Sequence, residues 1–265
     1  MNAHEPIGVF DSGLGGLTVV RSLLDLVPDH PVLYFGDSGR FPYGPKPSDE
    51  VLKYALEIAD LLVDRGARAI VVACNSAAAA ALDVLADRLA VPVFGVIEPG
   101  VRAARVVTTT RRVGVIGTVG TIASGAYQRI AAELDPTLEV ACAACPGFVE
   151  FVEAGDVDSD QVYVLAERLL APLRAAEIDT LVLGCTHYPL LARTIGDVMG
   201  REVTLVSSAD ETAFTVRSML GAPAGAPEPA RRPRFVTSGD PEQFRRLGAR
   251  FLGPEVQDVE AWSWT

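Results

Sequence analysis

Ala69-Ile-Val-Val-Ala-Cys-Asn-Ser76 and Thr180-Leu-Val-Leu-Gly-Cys-Thr-His187 are the two stretches on which the fold turns. Each is a continuous apolar run that ends on a cysteine followed by polar residues. A strand buried on both faces reads this way, because a parallel sheet covered by helices leaves no polar face to alternate with. The two cysteines lie 111 positions apart. A second pair, Ile7-Gly-Val-Phe-Asp-Ser-Gly13 and Val113-Gly-Val-Ile-Gly-Thr-Val119, repeats at an offset of 106, and each member runs into a Gly-containing turn and then a helical pattern.

Outward from these, further strands are predicted at 32–35, 93–97, 138–142, 203–206 and 234–237, alternating with helices over 48–65, 77–89, 124–134 and 161–176. The order is strand then helix, which predicts the α/β class. The internal echo predicts two similar α/β domains with mostly parallel sheets, facing each other across a central cleft where a ligand binds. Residues 221–234, GAPAGAPEPARRPR, read as an extended connector. The strand and helix after it, 234–237 and 241–252, are expected to pack back on the first half.

With 265 residues, 49% hydrophobic and 22% charged, the chain can build a large core and long disorder is excluded. The net charge of −11 repels phosphate backbones and anionic lipid, so neither nucleic acid nor a membrane is expected as a partner. No apolar run reaches the ~20 residues of a membrane helix. The first residues lack a basic segment followed by an apolar core, so a cytoplasmic protein with reduced thiols is expected.

Cys74 directly precedes an Ala-rich helix. A thiol there sits at the positive end of the helix dipole, which should lower its pKa below the ordinary ~8.5. The free N–H groups of the helix start, with Asn75 and Ser76, can bind a carboxylate. The competing reading is an inert buried thiol with Asn75 or Ser76 as a helix cap. Cys185-Thr186-His187-Tyr188-Pro189 repeats the arrangement, with Pro189 placed to open a helix and His187 placed as a proton acceptor beside a second thiol.

Asp11-Ser12-Gly13-Leu14-Gly15-Gly16 follows the first strand, and its glycines allow a backbone to approach a ligand closely. The run is neither G-x-G-x-x-G nor a Walker A sequence. Asp11 either binds an ammonium group or holds a proton near Cys74, or it merely caps a helix. Phe41-Pro42-Tyr43-Gly44-Pro45 reads as a loop that closes over a site. Cys142 and Cys145 form a C-x-x-C without the further ligands a tetrahedral zinc site needs, so they read as structural thiols, with a zinc or redox role as the competitor. No metal is expected. Glu153 on its own reads as a surface acid.

Several segments together resemble the bacterial glutamate racemases of the aspartate/glutamate racemase family. They are Gly8-Val-Phe-Asp-Ser-Gly-Leu-Gly-Gly16, Tyr34-Phe-Gly-Asp37 with Pro42-Tyr-Gly44, Ala73-Cys-Asn-Ser76, Cys145-Pro-Gly-Phe-Val149 with Glu153, and Leu183-Gly-Cys-Thr-His-Tyr-Pro189. The resemblance implies an isomerase that interconverts L- and D-glutamate without a cofactor and supplies D-glutamate for peptidoglycan. It implies that Cys74 and Cys185 are the two acid/base groups, with Asp11 assisting Cys74 and His187, together with Glu153, assisting Cys185. It implies substrate contacts at Asp11, Ser12, Tyr43, Gly44, Asn75, Ser76, Thr186 and His187. It further implies a homodimer, and domains formed by residues 1–97 plus 207–265 on the Cys74 side and 98–206 on the Cys185 side. Ser76 stands where the family usually has threonine, and Gly147 and Glu150 replace bulkier apolar residues or proline.

Inversion at a carbon without a cofactor asks for two acid/base groups flanking it, since a single base returns its proton to the face it came from. Two cysteines in equivalent positions meet that demand. The chain has only Lys46 and Lys53, neither in a setting like a pyridoxal-phosphate site. Competing functions are a racemase for a related substrate such as aspartate or a hydantoin, and a noncatalytic two-lobed amino-acid-binding protein.

Overall fold

Every strand pairing registered among the described residues, 5–220 and 232–264 of a computed structural model, is parallel, and the pairings form two sheets. The first contains β1 (Ile7–Asp11), β2 (Val32–Gly36), β3 (Ala69–Val72), β4 (Val93–Gly95), β9 (Arg234–Thr237) and β10 (Val259–Ala261), in the order β10-β9-β2-β1-β3-β4. The second contains β5 (Arg112–Gly117), β6 (Glu139–Ala144), β7 (Thr180–Gly184) and β8 (Thr204–Ser207), in the order β6-β5-β7-β8. Without β9 and β10, the two orders are one pattern shifted by four strands. The repeats read in the sequence map onto β1 with β5 and β3 with β7, and in each sheet these two strands pair side by side.

The apolar runs are buried as their composition requires. Every residue of β1, β3 and β7 is buried, and each branched side chain removed from water there contributes roughly 1.5–3 kcal/mol. The first sheet carries α1 (Leu17–Leu26), α2 (Ser48–Asp64), α3 (Asn75–Arg88) and α11 (Pro241–Leu252). The second carries α5 (Val119–Ala123), α6 (Ala126–Leu134), α7 (Phe148–Ala154), α8 (Asp160–Ala175) and α9 (Ala192–Met199). Helices α4 (Ile97–Val107) and α10 (Ser208–Leu220) join the two, since α4 touches β7 and β8 while α10 packs on α1 and α4. The larger core accordingly continues from the first sheet to Val113, Val115 and Val182, while Ile116, Leu181 and Leu183 point the other way into a second cluster around Phe148 and Ile195. Alternation along β5 and β7 assigns these neighbours to opposite faces.

Several expectations need adjusting. The helix read at 124–134 is α6, which starts two residues later, after Gly125 with a left-handed φ of +66°, and the short α5 before that turn was not read from the sequence. Pro189 opens a short 3-10 turn (Tyr188–Leu191), and α9 begins only at Ala192. Strand β6 extends two residues past the predicted 142. Helix α10 and strand β10 were not read from the sequence. The C-terminal strand and helix do return to the first half, where β9 pairs with β2. Of the predicted connector, 221–231 lie outside the described residues. No helix among the described residues is long and apolar enough to cross a membrane.

Candidate active site

Cys74 lies two residues past the end of β3 and occupies the cap position of α3, with an extended backbone (φ −77°, ψ 122°). It is 6% exposed, and its thiol donates to Ser12 Oγ at 3.7 Å. The helix-start expectation for its acidity fails. Burial pushes the Cys74 thiol up to about 12, Asp11 adds to the rise, and the Ala77 amide and Ser12 oppose it without prevailing. Desolvation outweighs the dipole because the site excludes the water that would otherwise solvate a thiolate. Asp11, at the end of β1, is buried and accepts from the Gly13 amide at 2.9 Å and from Thr186 Oγ1 at 3.3 Å. Its pKa is raised chiefly by burial, against the pull of His187 and of the Gly13 and Gly16 amides.

Cys185 stands at the same point of the second sheet, after β7, and is 7% exposed. His187 Nδ1 lies 3.9 Å from its sulphur, and His187 Nε2 lies 3.0 Å from Glu153 Oε1 on α7. Burial alone would lower the His187 pKa, but bonding to Cys185 and Glu153 raises it to about 10. The imidazole is therefore a cation at neutral pH, flanked by a sulphur and a carboxylate. The rings of Phe41 and Phe251 pack on it, with centroids at 6.1 and 5.6 Å. Glu153 is thus no bland surface acid: its side chain is 23% exposed and aimed at the histidine.

Among the glycines after β1, Gly15 makes room for a neighbouring loop of the protein itself. A Cβ on Gly15 would lie 2.2 Å from Thr186 Oγ1 and 2.5 Å from His187 Nδ1, so the close approach is to the loop after β7. Gly147, one of the departures noted above, enters α7 with φ +94°, a backbone that side chains other than glycine adopt only at a cost.

One cavity of about 110 Å³ is lined, among others, by Ser12, Tyr43, Gly44, Cys74, Asn75, Ser76, Cys185, Thr186 and His187. Asp11 and Glu153 do not line it and reach its lining through Thr186 and His187. Asn75 Oδ1 accepts from the Tyr127 hydroxyl at 2.7 Å, while Asn75 Nδ2 is buried with no hydrogen-bond partner among the described residues. An unpaired buried donor is costly unless something arrives to accept from it. Ser76 Oγ lies 3.0 Å from Thr118 Oγ1 and 3.2 Å from Thr121 Oγ1, which makes a cluster of three hydroxyls. Sequence reasoning missed Thr118 and Thr121, although the repeat carried a signal: at its offset of 106, Thr118 is the counterpart of Ser12. The Gly44 carbonyl accepts from the Gly120 amide at 2.9 Å, which ties the 41–45 loop to α5. Cys145 also lines the cavity, Cys142 lies in β6, and all four cysteines are free. No group of three or more His, Cys, Asp or Glu side chains able to hold a metal occurs among the described residues.

The model of the Asp/Glu/hydantoin racemase family matches residues 7–215, which include both cysteine motifs. The chain belongs to this family. Among racemases of the family, the glutamate racemase of Mycobacterium avium is 51% identical, over 97% of this chain and 96% of its own. A glutamate racemase isoform of Bacillus anthracis, known in the crystal, has a TM-score of 0.92 and 42% identity, covering 100% of this chain and 98% of its own. The glutamate racemase of Francisella tularensis, solved in complex with D-glutamate, has a TM-score of 0.90 and 35% identity, with 98% of each chain covered.

Proposed function

We propose that this chain is a cofactor-independent glutamate racemase in which Cys74 and Cys185 act as paired acid/base groups. The observation that carries the reading is that two buried cysteines in equivalent positions of two sheets line one cavity. Protons on opposite faces of one carbon need separate carriers, and general acid–base groups of this kind contribute ~10²–10⁴-fold each.

In the resting site Cys74 is a thiol and His187 a cation. Cys185, acting as a thiolate whose charge the His187 cation offsets, removes the α-proton of L-glutamate, and Cys74 delivers its own proton to the other face. The product is D-glutamate, with Cys74 left as thiolate and Cys185 as thiol, and the reverse reaction restores the start. Asp11 and Ser12 position Cys74, and Glu153 holds the His187 ring. Asn75 Nδ2, the Ser76–Thr118–Thr121 hydroxyls, Thr186 and the backbone of Tyr43 and Gly44 bind the substrate's carboxylates, with the N–H groups that open α3 adding their dipoles. Ser76 keeps the hydroxyl that threonine would offer. The reading extends to a cytoplasmic homodimer that supplies D-glutamate for peptidoglycan, with domains formed by 1–97 plus 207–265 and by 98–206.

The test is incubation with D-glutamate in D2O without added cofactor, following optical rotation and α-deuterium in the wild type, Cys74→Ser and Cys185→Ser. Loss of rotation with deuterium uptake, abolished in both variants, is the expected result. Turnover of D-aspartate alone would move the substrate and keep the mechanism. No exchange with either amino acid would leave a binding protein and end the racemase reading.

A further inference from the structure

The reaction scheme leaves one buried carboxylate unused. Asp37, the last residue of Tyr34-Phe-Gly-Asp37, has an exposure of 0%. Its Oδ2 accepts from the Tyr43 hydroxyl and from Arg40 Nε at 2.7 Å. Its Oδ1 accepts from Ser238 Oγ at 2.6 Å and from Trp264 Nε1 at 3.0 Å. A carboxylate offers about four acceptor sites, so these donors fill it. Two come from the loop that lines the cavity, and two come from the C-terminal segment, one after β9 and one after β10.

Arg40 completes the assembly. Its guanidinium carbon lies 3.9 Å from the centroid of the Tyr54 ring and 4.0 Å from that of Trp264, so it is sandwiched between the two rings, and its far end bonds to Glu57. Phe35 supports Trp264 with centroids 5.4 Å apart. A buried charge is tolerated only while its partners stay in place, and removing one leaves the rest undercompensated. The arrangement therefore has two settled parts, β2 and the C-terminal tail, and one part it fixes between them, the loop bearing Tyr43 and Gly44.

We infer that Asp37 is a positioning residue that fixes the Tyr43–Gly44 wall of the cavity, and that Trp264, by covering Arg40 and donating to Asp37, makes the C-terminal tail part of the substrate-binding apparatus. What that wall binds rests on the racemase reading, whereas the fixing of the loop does not. An unfixed loop weakens binding of substrate and transition state together, which raises KM and spares kcat.

The full chain is compared with Trp264→Ala, Trp264→Phe and Asp37→Asn by racemisation kinetics and by hydrogen exchange read by mass spectrometry. Trp264→Ala is expected to raise KM for both enantiomers about fivefold or more, with kcat within about twofold. Exchange should accelerate about tenfold or more at the Arg40, Lys46 and Gly120 amides and stay unchanged in β1 and β3. Trp264→Phe, which keeps a ring over Arg40 without the N–H, should fall between wild type and alanine, and Asp37→Asn should match or exceed the alanine effect. Unchanged KM and loop exchange in Trp264→Ala, or faster exchange throughout the first sheet, would overturn the inference. A wild type inactive on glutamate would sink the racemase reading, while loop exchange in the variants would still decide whether Asp37 and Trp264 fix the loop.

Discussion

Thr186 Oγ1 donates to Asp11 Oδ2 across 3.3 Å, and through this bond the loop after β7 meets the end of β1. Both residues are buried. Thr186→Val keeps the shape and removes the donor, so Asp11, already raised by burial, should rise further. Hydrogen bonds to charged groups contribute ~1.5–3 kcal/mol, and the variant should lose an amount in that range in urea unfolding, together with a drop in kcat/KM. Unchanged unfolding and kinetics would show that the contact is incidental.

The proton on His187 sets an alkaline limit. Its pKa of about 10 lies above the ordinary ~6.5, so the stabilisation it brings is complete below pH 6.5 and lost as pH rises toward 10. The racemase should follow, with kcat/KM falling on the alkaline side as the imidazolium is lost. One profile serves both directions, because enantiomers are equally stable and their kcat/KM values must agree at every pH. Glu153→Gln removes a carboxylate that favours the cation, and the limb should move to lower pH. A limb that stays in place would show that His187 does not carry it.

Thiol reactivity should be uneven. Burial pushes Cys74 and Cys145 up to about 12 and Cys142 up to about 11, and the thiolate is the reactive form. Near neutral pH, iodoacetamide should label Cys185, beside the His187 cation, well before the other three, and glutamate should protect it. Peptide mapping over time measures the order. Cys74 labelling as fast as Cys185 would contradict a protonated resting Cys74.

The fold was legible where burial on both faces left unmixed apolar runs, as in 69–72 and 180–184. It was less legible in β10, three residues with little apolar character, and in α5, a helical turn and a half that the left-handed Gly125 separates from α6. The two thiols and His187 were legible because strand, cysteine and helix recur in order. The acidity of Cys74 was not, since it depends on how deeply the sheets' ends are covered, which a local dipole argument omits. Asp37 and Trp264 lie 227 positions apart, and no local pattern in either segment points to the other.

The position of β9 also gives the molecule a history. β2 is flanked by β1 and β9, and β9 starts only at Arg234. At ~5–20 residues per second, a ribosome delivers all four strands of the second sheet, through Ser207, seconds before β9 emerges. Until then one edge of β2 has no partner, and open edges invite pairing with other chains. The nascent protein is most exposed to mispairing after most of it has been made, and the loop bearing Tyr43 is the last part of the cleft to be fixed.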